Sequence, residues 1–432
     1  MKMMVTELID TQYKDYAKYV LYSRAIPHMI DGLKPSQRKI LYTALKTAKN
    51  SRIKTASLSG NVISQANYHH GDASLNEAIT KMVQPFINNV PLLAGEGSFG
   101  SRLVPEAAAA RYTYVRTHKN FENYFADTMV ANHSADPEDP EPAFYLPIIP
   151  WVLVNGIKGI AVGFATEIQP YNPKVLAKLC TAHLNGKDIS KRKLLPSYPE
   201  FGGKIEEING DSYCTGVFKL KGTTKLQITE VPVGFTRESY VMLLDKLEMD
   251  NTIVSYVDKC DASGFNFDIT LKRRGKKPTS AQIIYTFKLR KKLNQNLTVI
   301  DHNHQLKVYD NPLEIIKDFV DYRVTKYTER YEWLLKQAGE ELDILLAKIK
   351  FIEMVLNGDL NFKNKNKQQI RDALVNKFNP EIIDVLIRLP IYSLCQDELA
   401  KLKTHGAEVY AQIDEWKKID VNEQFIEELK AI

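Results

Sequence analysis

The sequence predicts a multidomain α+β protein: a basic helix-turn-helix domain with a wing strand, a mixed α/β region, and a long antiparallel coiled coil with a small helical knob. Three observations predict it. Short helical patterns with basic residues near their starts crowd the first hundred residues. Turn signals and β-prone runs alternate with a helix between about 172 and 310. From Ile316 to Leu356 apolar positions step by three or four without a break, a sustained heptad. A chain of 432 residues, 44% hydrophobic and 25% charged, has room for two or three ordinary globular domains.

Residues 1–26 read as a short helical arm, with Leu8, Tyr13, Tyr16 and Tyr19 or Val20 near helical spacing. Its first residues, MKMMVTELID, turn acidic before any apolar run and do not read as a signal peptide, and the most apolar stretch, 151–165, is too short and too interrupted to span a bilayer. The turn Asp31-Gly32-Leu33-Lys34-Pro35 starts a helix in which Ile40, Leu41, Leu45 and Ala48 keep an apolar face. A second helix is expected over 51–65, and a third from Ala73 to Val83 with Asp72 as its N-cap. Three such helices suggest a helix-turn-helix core, the third being the candidate for the major groove. Charge agrees. Between Arg24 and Lys119 stand thirteen Lys/Arg against five acids, a surplus of eight in a chain whose net charge is +6. A basic domain on a neutral scaffold fits a phosphate-backbone binder, although a solvated basic face would read the same.

The stretch Gly95 to Arg116 follows. Gly95, Gly97 and Gly100 permit close backbone approach, a run of alanines leaves little bulk, and Arg111 and Tyr112 arrive side by side. A phenol nucleophile beside a fixed cation suits phosphoryl transfer. The dipeptide alone is weak, since Arg330-Tyr331 repeats it within a helical pattern. His69-His70 could be a metal half-site, a turn pair capping backbone, or a proton relay near a tyrosine; no third ligand has usable spacing. The four cysteines are far apart and read as reduced structural thiols.

Residues 132–150 are Pro- and acid-rich and read as a surface loop. Leu153 to Ala165 is a glycine-kinked β segment in which Ile160 is either a core residue or an apolar wedge on a slim turn. Asn209-Gly210 and Asp301–His304 read as hairpin turns, and the basic run Lys272–Lys277 as a hairpin tip or a DNA-flank contact. Asn311-Pro312 caps the long heptad helix, on the order of 65 Å at 1.5 Å per residue. It stops at Asn357-Gly358. After a knob with a capped start at Asn379-Pro380, Leu399, Leu402, Val409, Ile413 and Trp416 form a return helix.

Taken in order, Ser23–Pro27, Asp31–Pro35, Tyr68–Asp72, Gln84–Phe86, Gly95–Ser101, Ala108–Thr113 and Val154–Gly163 resemble the DNA-cleavage subunit of type IIA topoisomerases, the gyrase A and topoisomerase IV class. The form most similar is the separate cleavage subunit of the T-even-like phage branch. The implied layout is an N-terminal arm (1–26), a winged-helix DNA-cleavage domain (27–150), an α/β tower domain (151–310), an outgoing coiled-coil helix (311–356), a C-gate dimerisation knob (357–395) and a return helix (396–432). The resemblance makes Tyr112 the nucleophile that forms a 5′-phosphotyrosyl link, with Arg111 steadying the transition state. His70 and Arg24 would flank the scissile phosphate. Lys34, Arg38 and Lys39 would contact DNA, and Ile160 would wedge into it.

The same resemblance implies a homodimer on double-stranded DNA in the cytoplasm, with no membrane and no metal site in this chain. Mg²⁺ and ATP would be held by separate ATPase and metal-binding (TOPRIM) subunits. Relaxation and decatenation are expected in preference to supercoiling. Two departures stand out. No proline separates His69 from His70, so His69 does not inherit the role of gyrase's first histidine. The quinolone-anchoring serine and acid of bacterial enzymes are here Ala73 and Glu77, which implies weakened quinolone sensitivity. The rival reading is a non-catalytic, dimeric architectural DNA-binding protein.

Overall fold

The computed structural model describes residue 6 and residues 9–49, 51–125, 138–273, 277–360, 365–375 and 377–432. Arg274 and Lys276 of the basic run, and residues 132–137 of the acid-rich stretch, lie outside the described residues. The chain forms two compact units, one of residues 1–323 with 426–432, the other of residues 324–425.

The first unit begins with a helical arm, α1 (Lys14–Val20), flanked by π-helical turns at Ile9–Tyr13 and Leu21–Ala25. Three helices follow: α2 (Pro35–Thr47), α3 (Thr55–Gln65) and α4 (Asp72–Val83), each packed on the other two. Pro35 opens α2, where its missing N–H costs nothing. Ile40, Leu41, Leu58, Val62, Leu75 and Ile79 are fully buried, each contributing about 1.5–3 kcal/mol. Two expectations need correction. The second helix starts at Thr55, not 51, because Ile53–Lys54 (β1) is drawn into a sheet. Asp72 is not an N-cap: Gly71 holds that position with extended backbone, and Asp72 sits in the first turn, where its charge favours the helix dipole.

That sheet places β3 (Tyr114–Thr117) between β1 and β2 (Leu93–Glu96), all antiparallel. A short helix, α5 (Asn120–Tyr124), follows it. Next comes a hairpin of β4 (Ile157–Ile160) and β5 (Ala165–Ile168), then α6 (Pro173–Leu184), N-capped by the Asn172 side chain. Strands β6 (Lys204–Ile208) and β7 (Asp211–Thr215) join through Asn209 and Gly210, both at positive φ, as the two-residue turn requires. Strands β8 (Val217–Lys221), β9 (Lys225–Glu230), β10 (Ile253–Asp258) and β11 (Phe267–Leu271) form a four-stranded sheet in the order β10-β11-β9-β8. Helices α7 (Arg237–Met249) and α8 (Ser280–Thr286) complete its core, in which Tyr240, Phe267 and Phe287 are buried. Strand β12 (Arg290–Lys292) pairs with β7. The hairpin of β13 (Leu297–Ile300) and β14 (Leu306–Tyr309) turns on Asp301, whose Oδ1 accepts from the amides of Asn303 and Gln305.

The 45-residue helix α9 (Pro312–Leu356) is capped by Asn311, as the sequence predicts, and ends before Gly358 at φ +84°. In the second unit, α9 contributes Ala338 and Leu345 to a cluster with Val409 and Ile413 of α12 (Gln396–Trp416), an antiparallel pair. Helices α10 (Lys367–Val375) and α11 (Pro380–Ile387) close a second cluster around Phe351, Ile352, Leu374 and Ile383. The return segment is not one helix. It breaks after Trp416 and restarts as α13 (Val421–Lys430), because Asp420 Oδ1 takes the amides of Asn422 and Glu423 at 2.7 and 3.2 Å.

Candidate active site

Tyr112 is delivered by a loop tied down at both ends. Gly97 and Gly100 adopt φ of +102° and +82°, and a Cβ on Gly100 would lie 2.6 Å from the Pro105 carbonyl oxygen. The Ala108 amide donates to Ser98, while the amides of Thr55 and Ala56, at the start of α3, donate to the carbonyls of Thr113 and Ala110. Thr55 and Thr113 also share a buried hydroxyl contact of 2.8 Å. Gln84, at the end of α4, donates to the carbonyls of Phe99 and Pro105. Thr113 is buried, yet the side chain of its neighbour Tyr112 is 66% exposed, and the Arg111 guanidinium lies 4.9 Å from its ring centroid. Arg330, the other Arg-Tyr arginine, is by contrast buried against Tyr327 and Tyr331.

Across the loop, Arg102 donates to Glu230, to the carbonyls of Glu200 and Val231, and stacks on Phe201 and Phe265. The loop bearing Tyr112 is thereby pinned to the four-stranded sheet as well as to α4. Nothing in the spacing of Arg102 marks this role, because its partners lie about a hundred residues away.

A second assembly is a cavity of about 790 Å³ lined by the cations Arg24, Lys34, Arg38, Lys39 and Lys81 and by His70, with Glu77, Glu138, Asp139 and Glu141 also in its wall. Five sequence-predicted groups, Arg24, Lys34, Arg38, Lys39 and His70, thus meet Lys81, which sequence reasoning did not single out, while Arg111 and Tyr112 do not line the cavity. Burial, then the cations of Lys81 and Arg24, pull the Lys34 pKa below the usual lysine value, which reports a crowded positive site. His70 Nε2 lies 3.0 Å from the Tyr19 hydroxyl. The Lys34 ammonium donates to the Lys158 carbonyl at 2.7 Å. That carbonyl belongs to β4, whose last residue, Ile160, is 77% exposed at the hairpin end. Gly159 abuts the arm so closely that a Cβ there would meet the Ala25 oxygen at 2.1 Å. Of the two readings left open for Ile160, a core residue is excluded by that exposure.

Two of the expected DNA contacts are instead engaged by acids of the fold. Arg38 is buried, its Nε 2.8 Å and its Nη2 3.1 Å from the two oxygens of Asp31, and it also donates to the Leu33 carbonyl. Burial, the largest single effect, would lower its pKa, but Asp31, with Glu141 and Tyr145, more than offsets it and the pKa is raised. A guanidinium committed to a buried partner is not offered to a phosphate. Lys39 is also buried, its ammonium 2.6 Å from Asp139 and 2.8 Å from Glu141. Burial holds the Glu141 carboxyl above the usual carboxylate range despite that lysine. Sequence reasoning missed Asp31, only seven residues before Arg38, because a turn acid does not show which side chain it will face, and it missed Asp139 and Glu141 because they lie about a hundred residues from Lys39. Among the described residues, no three His, Cys, Asp or Glu side chains group as a metal site. No described helix is long and apolar enough to cross a membrane.

Comparison with known proteins shows the family and the fold. Residues 24–431 match the family model of the DNA gyrase/topoisomerase IV A-subunits. The chain is 36% identical to the DNA topoisomerase medium subunit of Enterobacteria phage T4, covering 98% of both chains. It is 33% identical to the mitochondrial DNA topoisomerase 2 of Dictyostelium discoideum over 94% of this chain, but spans only 31% of that longer protein. The crystal structure of the Plasmodium falciparum topoisomerase II DNA-binding, cleavage and re-ligation domain superposes with a TM-score of 0.86 at 27% identity, covering 97% of this chain and 62% of that one. The chain belongs to the DNA gyrase/topoisomerase IV A-subunit family, the DNA-cleavage subunits of type II topoisomerases.

Proposed function

We propose that Tyr112 is the nucleophile of transient double-strand cleavage. The observation that carries this is its exposure, 66%, at the end of a loop otherwise held rigid, with Arg111 against its ring. The phenol oxygen attacks a backbone phosphorus, the bond to the 3′ oxygen breaks, and the phenol proton ends on the departing 3′ hydroxyl. The DNA 5′ end stays on Tyr112, and the reverse attack reseals it. Arg111 supplies a cation to the charge that builds on the phosphate. Arg24 and His70 bind phosphate oxygens in the basic cavity. Lys34 serves DNA binding by holding the β4–β5 hairpin, from which Ile160 enters the duplex as a wedge.

In this reading α2, α3, α4 and the β1-β3-β2 sheet act as a winged helix, the mixed region is the tower, and α10 and α11 belong to a gate through which two copies dimerise. Mg²⁺ and ATP belong to partner subunits, and no step here runs through either. The sequence similarity favours this enzyme reading over the architectural DNA-binding one. Denaturant added to this chain with its partner subunits, Mg²⁺ and DNA is expected to trap protein on 5′ ends. Tyr112→Phe is expected to trap none. Absence of the adduct in wild type would sink the reading.

A further inference from the structure

We propose that Tyr19 is a positioning residue for His70, fixing which ring nitrogen faces the DNA. The Tyr19 hydroxyl lies 3.0 Å from His70 Nε2, across 51 residues of sequence. Both side chains line the basic cavity together with Arg24. Tyr68 also packs on the imidazole, the two rings nearly perpendicular with centroids 5.5 Å apart. Tyr68 is itself fixed: it is buried, and its hydroxyl meets Ser74 Oγ at 3.2 Å, while Ser74 donates to the Gly71 carbonyl at 2.8 Å. One tyrosine of the clamp therefore comes from the helical core and the other from the arm.

Tyr19 is one of four exposed tyrosines spaced by three along the arm, with Tyr13, Tyr16 and Tyr22. Among the described residues, it is the one whose hydroxyl meets a side chain of the cavity. A neutral imidazole carries one N–H. In the proposed arrangement the phenol is the donor and Nε2 the acceptor; the proton then resides on Nδ1, and Nδ1 becomes the donor available to a phosphate oxygen.

This inference rests on the reading of His70 as a phosphate-binding residue, and the experiment separates the two. The chain, reconstituted with its partner subunits and Mg²⁺, is assayed for covalent DNA complex. Tyr19→Phe is expected to lower complex yield about three- to tenfold, the scale of one hydrogen bond, and to leave DNA affinity without Mg²⁺ within about twofold of wild type. Ring ¹⁵N shifts of the histidine-labelled full chain are expected to show His70 as the Nδ1–H tautomer in wild type and as a mixture in Tyr19→Phe. In a His70→Ala background Tyr19→Phe is expected to cost nothing further. Tyr16→Phe, on the same arm, is the control for arm integrity and is expected to behave as wild type. An unchanged tautomer and yield in Tyr19→Phe overturns the proposal, as does an equal loss in Tyr16→Phe or in the His70→Ala background. If His70→Ala itself cleaves normally, the reading of His70 fails and the proposal falls with it. If His70→Ala is impaired and Tyr19→Phe is not, the proposal alone fails.

Discussion

The Lys34 ammonium donates to the backbone carbonyl of Lys158 at 2.7 Å, two residues before the exposed Ile160. The N-cap residue of α2 and strand β4 of the hairpin are therefore mechanically joined. On the other side Gly159 packs against Ala25, the neighbour of Arg24. A duplex wedged open at Ile160 would be registered against Arg24 and Lys34 by these two contacts.

Lys34→Met keeps the aliphatic stem and removes the donor. DNA bending by the reconstituted enzyme, read by end-to-end energy transfer, is expected to fall toward the value for Ile160→Ala. The slope of log affinity against log salt is expected to stay that of wild type, because a lost phosphate contact would reduce it by about one. Retained bending with a reduced slope would assign Lys34 to the phosphate backbone instead.

Arg38→Ala leaves Asp31, which has no exposed surface, without its cation. Asp31 also accepts from the amides of Leu33 and Tyr145, so it cannot turn to solvent without breaking both. A loss of about 3–5 kcal/mol is expected, typical of a broken buried pair, seen as a lower urea midpoint of the full chain. A change under about 1 kcal/mol, the scale of an exposed pair, would mean that the pair is solvated in solution.

His28 gives stability a pH dependence. It is buried, stacks on Phe144 at 4.3 Å, and accepts the Ile30 amide at Nδ1. Burial, then the nearby charges of Arg38, His304 and His302, hold its pKa well below 6.5. The unfolded chain therefore binds a proton near pH 6.5 that the folded chain refuses. Its contribution is complete above that pH and is lost as the pH falls below it. Urea midpoints are expected to drop between pH 7.5 and 5.5, and to drop less in His28→Phe. Parallel pH profiles would remove His28 as the cause.

Ala73 and Glu77 lie exposed in the first turns of α4. Glu77 pairs with Lys81 at 2.6 Å, which lowers its pKa from the usual carboxylate value. With no hydroxyl at Ala73 and the acid engaged by a neighbour, quinolones are expected to stabilise cleavage complexes more weakly than with bacterial gyrase. A side-by-side titration giving equal potency would refute this.

Much of the fold was legible because its signals are local. Pro35, Asn209-Gly210, Asn311-Pro312 and Asn379-Pro380 act on backbone within a few residues, and each marks an element where the structure has one. The failures are also local, at places where the tertiary structure overrides propensity. Ile53–Lys54 joins β3 instead of starting a helix, and Asp420 interrupts an otherwise helical run. For the candidate site, the Gly-Ala loop and its Arg-Tyr were visible as composition. The partners of Arg38, Lys39 and Arg102 were not, since Asp31, Asp139, Glu141 and Glu230 are set against them by folding.

The sequence by itself determined the element types, the basic character of the first domain, and the family, through short ordered motifs whose backbone demands are met within a turn or two. Only the tertiary structure decided which charges are available to a ligand. Arg24 and His70 line an open cavity, Arg38 is buried in a pair with Asp31, and Lys34 is joined to the hairpin of Ile160. The physical reason is that a cation's availability depends on its desolvation and on partners that folding brings to it, for Lys34 from 124 residues away, and a residue's own neighbourhood does not show which of these it will meet.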